Sequence, residues 1–140
     1  MNKKFKILTN FIKDMSSETP DVQSYLFVKE NISKYNLNIN ITSKPLKNKM
    51  IEVSTILKFE DKNSNEKRSN FEIVYISIIK IDESVKDKKE LEKIVICDLQ
   101  NKIYPKIEKI FLNLLDLSGF PGVKIEKKID FNKLYNERND

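Results

Sequence analysis

Residues 71–81 read Phe71-Glu72-Ile73-Val74-Tyr75-Ile76-Ser77-Ile78-Ile79-Lys80-Ile81. The run is rich in β-branched and aromatic side chains, which suit a pleated strand. Successive side chains of a strand point to opposite faces, so the odd and even positions are read separately. Phe71, Ile73, Tyr75 and Ile79 make one apolar row. Val74, Ile76 and Ile78 make a second, on the other face. A strand that is apolar on both faces needs cover on both. In a chain of 140 residues, one cover comes from helices of the same chain. The other would come from a second subunit or a bound ligand.

Working upstream, Asp61 to Asn70 has no large apolar residue and reads as a hairpin loop. Before it, Ile51, Val53, Thr55, Leu57 and Phe59 alternate with Glu52, Ser54, Lys58 and Glu60, a strand with one wet face. Pro45 to Lys49 reads as a turn. Leu37, Ile39 and Ile41 alternate with Asn36, Asn38, Asn40 and Thr42, another half-buried strand. Ser16 to Ser33 is polar, contains Pro20 and reads as a loop, and Phe5 to Ile12 is a first apolar run.

Downstream the period changes. From Asp87, the residues Leu91, Ile94, Val95, Leu99, Ile103, Ile107, Ile110, Phe111, Leu114 and Leu115 recur at three and four. This predicts an amphipathic helix of about 30 residues. Pro105 lies inside it and predicts a kink or break there, because proline removes a donor and crowds the preceding turn. Gly119 predicts a left-handed cap, with Phe120 folded back on Leu115 and Pro121 blocking continuation. Asp130 predicts the N-cap of a short last helix from Phe131 to about Glu137. The expected class is α+β: a four-stranded antiparallel sheet, then a long kinked helix and a short C-terminal helix. Nothing marks an internal boundary, so residues 1–140 read as one domain, with 1–6 and 137–140 as flexible ends.

Composition narrows the chemistry. The chain has no histidine and a single cysteine, Cys97. That removes histidine-based catalytic arrangements, Cys/His zinc sites and any intrachain disulfide. The two glycines, Gly119 and Gly122, follow a helix rather than preceding one, so no phosphate loop is present. Carboxylate pairs such as Glu60-Asp61 sit in hydrophilic stretches and read as solvated surface. Cys97 lies among Val95, Ile96 and Leu99 and reads as a buried thiol. The expectation is a binding protein without cofactor or metal. With no run of 18 apolar residues and no leader-like start, the cytoplasm is the expected compartment.

The net charge of +5 raises nucleic-acid binding as a rival reading. Lys, Asn and Ile supply 58 of the 140 residues, a compositional bias, and the lysines are dispersed among acids. Few aromatics lie between them for base stacking. The basic balance is therefore read as compositional bias rather than as a nucleic-acid footprint.

Four motifs resemble the SecB family of protein-export chaperones. Phe11-Ile12-Lys13-Asp14-Met15-Ser16-Ser17-Glu18-Thr19-Pro20 looks like the family's N-terminal pattern. Ile51-Glu52-Val53 resembles its aromatic-Glu-Val strand start, and Ile103-Tyr104-Pro105 its aliphatic-Phe-Pro within the long helix. Gly119-Phe120-Pro121, followed by Ile129-Asp130-Phe131-Asn132-Lys133-Leu134-Tyr135, is similar to its C-terminal signature. The resemblance covers roughly residues 7 to 136. It implies a homotetramer, a dimer of dimers, that holds unfolded precursor proteins without ATP and delivers them to the SecA motor. It also implies SecA docking on Asp14, Glu18 and Glu72. A client groove would be drawn from Phe59, Tyr75, Ile78, Tyr104, Phe111, Phe120 and Pro121, although core or subunit contact is the simpler role for Phe59, Tyr75, Ile78 and Phe111. SecB-like proteins also serve toxin–antitoxin systems, which gives the resemblance a second outcome.

Overall fold

Alternating burial along one strand sets the plan of the sheet. Ile51, Val53, Thr55, Leu57 and Phe59 are buried, and the residues between them are not. The structure, a computed structural model, describes residues 4–61, 68–125 and 128–138. Its strands are β1 (Phe5–Glu18), β2 (Asn36–Pro45), β3 (Met50–Glu60) and β4 (Asn70–Ile81). They form one antiparallel sheet in the order β1-β4-β3-β2, so β1 and β2 are its edges.

The helices are α1 (Val22–Asn31), α2 (Lys88–Lys93), α3 (Leu99–Leu117) and α4 (Phe131–Arg138). Helix α3 packs on the face that carries the buried β3 residues. The Phe111 ring meets Phe59 at 5.2 Å, and Gln100 Nε2 donates to Thr55 Oγ1 at 2.9 Å. Behind α3, Phe120 meets Phe71 edge-on at 5.6 Å. Such pairs add directional preference to burial that is worth about 1.5–3 kcal/mol per large side chain.

The α+β plan of four strands, long helix and short helix holds. Three details differ from the sequence reading. The segment Ser16–Ser33 is not a loop. β1 continues to Glu18, paired with Asn70, and α1 follows it. The Asp21 carboxylate caps α1 by accepting from the Ser24 N–H at 2.7 Å, which holds the Asp21 carboxyl below its usual pKa. The helix escaped notice because its buried side is narrow: only Ser24 and Val28 are fully buried.

Helix α3 also runs unbroken through Pro105. The departure from α-geometry lies earlier, in a π-helical stretch at Ile94–Asp98, where the Leu99 N–H reaches back to Ile94 O. Widening the turn there lets four consecutive residues, Ile94 to Cys97, be buried at once. Part of their cover is α4, where Cys97 Sγ donates to Asn132 Oδ1 at 2.8 Å. Finally, Phe5 and Lys6 belong to β1, while Glu137 and Arg138 belong to α4, with Arg138 donating to Ile41 O at 2.8 Å. Those parts of the expected flexible ends are therefore structured. Residues 1–3 and 139–140 lie outside the described set, as do 62–67 of the expected hairpin loop.

The cap at the end of α3 forms as expected. Gly119 has φ +94, the Phe120 N–H donates to Leu115 O at 2.8 Å, and the Gly119 N–H donates to Asp116 O at 3.2 Å. A Cβ on Gly119 would sit 2.7 Å from the Tyr25 ring, whose hydroxyl donates to Gly119 O at 2.6 Å. Gly119→Ala therefore costs about 1–3 kcal/mol from backbone strain and ring displacement, seen as a lower urea midpoint with unchanged slope.

A second prediction concerns pH. Burial pushes the Tyr35 and Tyr104 hydroxyls up to about 12. The unfolded chain releases these protons near pH 10, while the folded chain keeps them. Their contribution is thus complete below pH 10 and is lost as pH rises towards 12. The Tyr104 hydroxyl is buried without a hydrogen-bond partner. Tyr104→Phe leaves neutral-pH stability unchanged or raises it by up to about 1 kcal/mol, and it reduces the alkaline loss in thermal melts read between pH 8 and 11.

Candidate functional site: the β1 edge and the outer face of the sheet

Opposed residues in an antiparallel ladder share a face, so register assigns each side chain of β1. Phe11 opposes Ile76 on the outer face, away from α3. Ile12 opposes Tyr75 and Met15 opposes Ile73, both on the helix side. Two bulges, at Leu8 and Lys13, interrupt this ladder. Leu8, Phe11, Ile12 and Met15 are all between 42% and 47% exposed. Four large apolar residues at that exposure, Phe11 on the outer face, Ile12 and Met15 on the helix side and Leu8 at a bulge, leave apolar surface open on both faces of this one edge strand. Composition alone did not single them out, although Phe11 to Met15 fall inside the N-terminal motif. Further exposed apolar residues are present on α1: Val22, Leu26 and Phe27. Leu117, at the end of α3, is 77% exposed, and the adjacent Ser118 Oγ lies 2.7 Å from Ser17 Oγ of β1.

The three expected docking carboxylates come together. Asp14 opposes Val74, Glu72 opposes Ser16, and Glu18 opposes Asn70. All three therefore lie on the outer face, with Glu72 level with the point midway between Asp14 and Glu18. Asp14 and Glu18 are exposed, and Glu72 is half-buried with Lys58 Nζ 3.9 Å from its carboxylate. An exposed pair at that distance is worth at most about 1 kcal/mol, so Lys58 neither buries nor locks Glu72.

The expected groove residues divide. Phe59, Tyr75, Phe111 and Phe120 are buried in the core of this chain, and Tyr104 packs edge-on to Phe131 at 5.3 Å. They support the fold and present no surface as the chain stands. Pro121 is exposed, and Ile78 is half-buried on the outer face. That face also carries Val74, half-buried, and Ile76, fully buried between Phe11 and Ser54, its neighbours in register. The second apolar row of β4 is thus present and only partly covered. Cys97 is buried, which pushes its thiol up and keeps it protonated.

Comparison with known proteins gives this arrangement its context. The family described as preprotein translocase subunit SecB matches residues 1–140. The chain belongs to the SecB family. Its relatives include a Pelagibacter ubique (strain HTCC1062) protein that bears the protein-export name SecB, 61% identical over 138 residues and covering 99% of both chains. A Bartonella quintana protein-export protein SecB is 25% identical over 134 residues, covering 96% of this chain and 83% of that one. Among solved structures, the Mycobacterium tuberculosis SecB-like chaperone in complex with an antitoxin peptide superposes with a TM-score of 0.64. At 11% identity over 90% of this chain and 88% of that one, it shows a shared fold. SecB proteins are chaperones of protein export and not enzymes. Among the described residues, no helix is long and apolar enough to cross a membrane.

The division between core and exposed edge strand is testable by stability. Phe111→Ala costs about 3–5 kcal/mol, because it empties a fully buried ring site. Phe11→Ser costs about 1 kcal/mol, because half of that ring is already in water. Urea denaturation of the two variants separates the roles.

Proposed function

We propose that this SecB protein is an ATP-independent holdase for unfolded precursor proteins. The exposed apolar residues of β1 are the observation that supports this most directly. A folded chain that keeps Leu8, Phe11, Ile12 and Met15 near half exposure gains by covering them with another polypeptide. Extended apolar segments with an unsatisfied backbone fit an edge strand, and little sequence preference is needed. The half-buried Ile78 and the exposed Pro121 extend the candidate client surface.

The buried groove residues act beneath this surface by holding its shape. The assembly proposed is a homotetramer, a dimer of dimers, in the cytoplasm, and several weak contacts spread over its subunits would add through avidity. Delivery to SecA runs through Asp14, Glu72 and Glu18 on the outer face, where three carboxylates on neighbouring strands suit a basic tail. A role with an antitoxin client is the second reading, favoured by the fold shared with the Mycobacterium tuberculosis chaperone. A nucleic-acid role is disfavoured, because the outer face at β1 and β4 carries these acids.

The expected particle has about four times the 16.5 kDa chain mass by light scattering, and it suppresses aggregation of a denatured client. Phe11→Ser with Met15→Ser keeps the far-UV circular dichroism and loses most of that suppression. A monodisperse monomer without suppression refutes the reading. For delivery, Glu72→Lys weakens binding of the SecA tail by roughly tenfold in titration calorimetry at low salt, as expected for reversing one charge in a three-charge cluster.

A further inference from the structure

At the end of the sheet away from Glu18 there is a cavity of about 400 Å³. It lies between the β2–β3 turn and the connection from β4 to α2. Its floor is apolar: Leu46, Met50, Ile51, Ile81, Val85 and Leu91. Its walls carry three lysines, Lys49, Lys86 and Lys88, and one acid, Asp87. Asp87 is committed to capping α2, where its carboxylate accepts from the Lys89 N–H at 3.1 Å. The nearby Asp82 carboxylate accepts from Ser84 Oγ and from the Ser84 N–H, and Lys49 helps hold it ionised. Glu90, on the neighbouring turn of α2, is paired with Lys4 at 2.6 Å. None of Lys49, Lys86 and Lys88 forms an ion pair among the described residues, and all three are exposed.

Lys49 has a further peculiarity. Its φ is +60, a left-handed backbone that a β-branched or long side chain adopts at a cost. The two-residue turn that joins β2 to β3 asks for it: Met50 N–H donates to Lys47 O at 3.2 Å across Asn48 and Lys49, both at φ +60, and Ile81 N–H donates to Lys49 O at 2.9 Å. Lys49 is thereby fixed at the rim of the cavity.

We propose that this cavity is a charge-selective client subsite: it takes an apolar side chain of an unfolded polypeptide whose neighbouring residues are Asp or Glu. The volume is of the size that admits one or two large apolar side chains. The apolar floor supplies affinity, and the lysine wall discriminates by sign, since a basic flank would meet like charge there. The inference rests on the holdase reading and adds a preference that apolar contact alone does not have.

The test uses the full chain and two fluorescent peptides with one shared apolar core, flanked by Asp/Glu in one and by Lys in the other. At low salt the acidic peptide binds roughly tenfold tighter by anisotropy, as three exposed cations would give. The preference falls at high salt. In the triple variant Lys49→Glu, Lys86→Glu, Lys88→Glu, checked by circular dichroism, the preference disappears or inverts while aggregation suppression of a neutral client persists. Val85→Trp, which fills the cavity, weakens the acidic peptide selectively. Equal binding of the two peptides, or a preference untouched by the triple variant, overturns the subsite and leaves the holdase standing. Laurate binding that depends on the lysines, without acidic-peptide binding, also overturns it. Binding of neither peptide together with no suppression of aggregation overturns both.

Discussion

The packing of α3 on one face of the sheet is the constraint on which the rest depends. Phe111 against Phe59, and Gln100 against Thr55, fix the helix over β3 and its neighbours. A single helix layer about 10 Å wide does not span four strands about 4.8 Å apart. β1 is the strand left short of cover. The exposure of its helix-side Ile12 and Met15 is thus a product of where the core is, while the outer face, with no helix layer, leaves Phe11 and the carboxylates in the open.

That arrangement separates different kinds of surface in space. The exposed apolar residues of β1 lie along one edge of the sheet. The carboxylates of Asp14, Glu72 and Glu18 sit on the outer face near one end of β1 and β4. The lysine-walled cavity is at the other end, near Ile81. A net charge of +5 conceals this polarity, because it averages an acidic region and a basic one.

Most of the fold was legible because its signals are local. The alternation at 51–59, the double apolar rows at 71–81 and the three-four spacing from Leu91 each report one element's burial. Gly119 and Asp130 announced their caps through residue chemistry alone. β1 was harder to read. Its bulges at Leu8 and Lys13 reset the alternation twice, so its helix-facing residues fall at 5, 7, 10, 12, 15 and 17 rather than on one parity. α1 was hidden by its thin buried side, although Pro20 followed by Asp21 is a helix start that could have been noticed. Pro105 does not break the helix; the irregular turn lies upstream at Ile94–Asp98, against α4, where a tertiary contact that spacing does not encode accompanies it. The acidic trio came from the motif resemblance. The groove residues did not separate from the core, because a buried aromatic and a binding aromatic look alike in sequence.

The bulged ladder of β1 also bears on solubility. A long, flat, apolar edge invites copies of itself to stack without limit, as in cross-β fibres. Here the hydrogen-bonded rows of β1 are broken at Leu8 and Lys13 into short runs, 5–7, 9–12 and 14–18. Each break twists the strand and displaces the next row of donors and acceptors. An incoming chain can lie on the apolar side chains, yet it meets no continuous template along which a fibre could grow. The protein can expose the adhesive surface of an aggregate without becoming the seed of one.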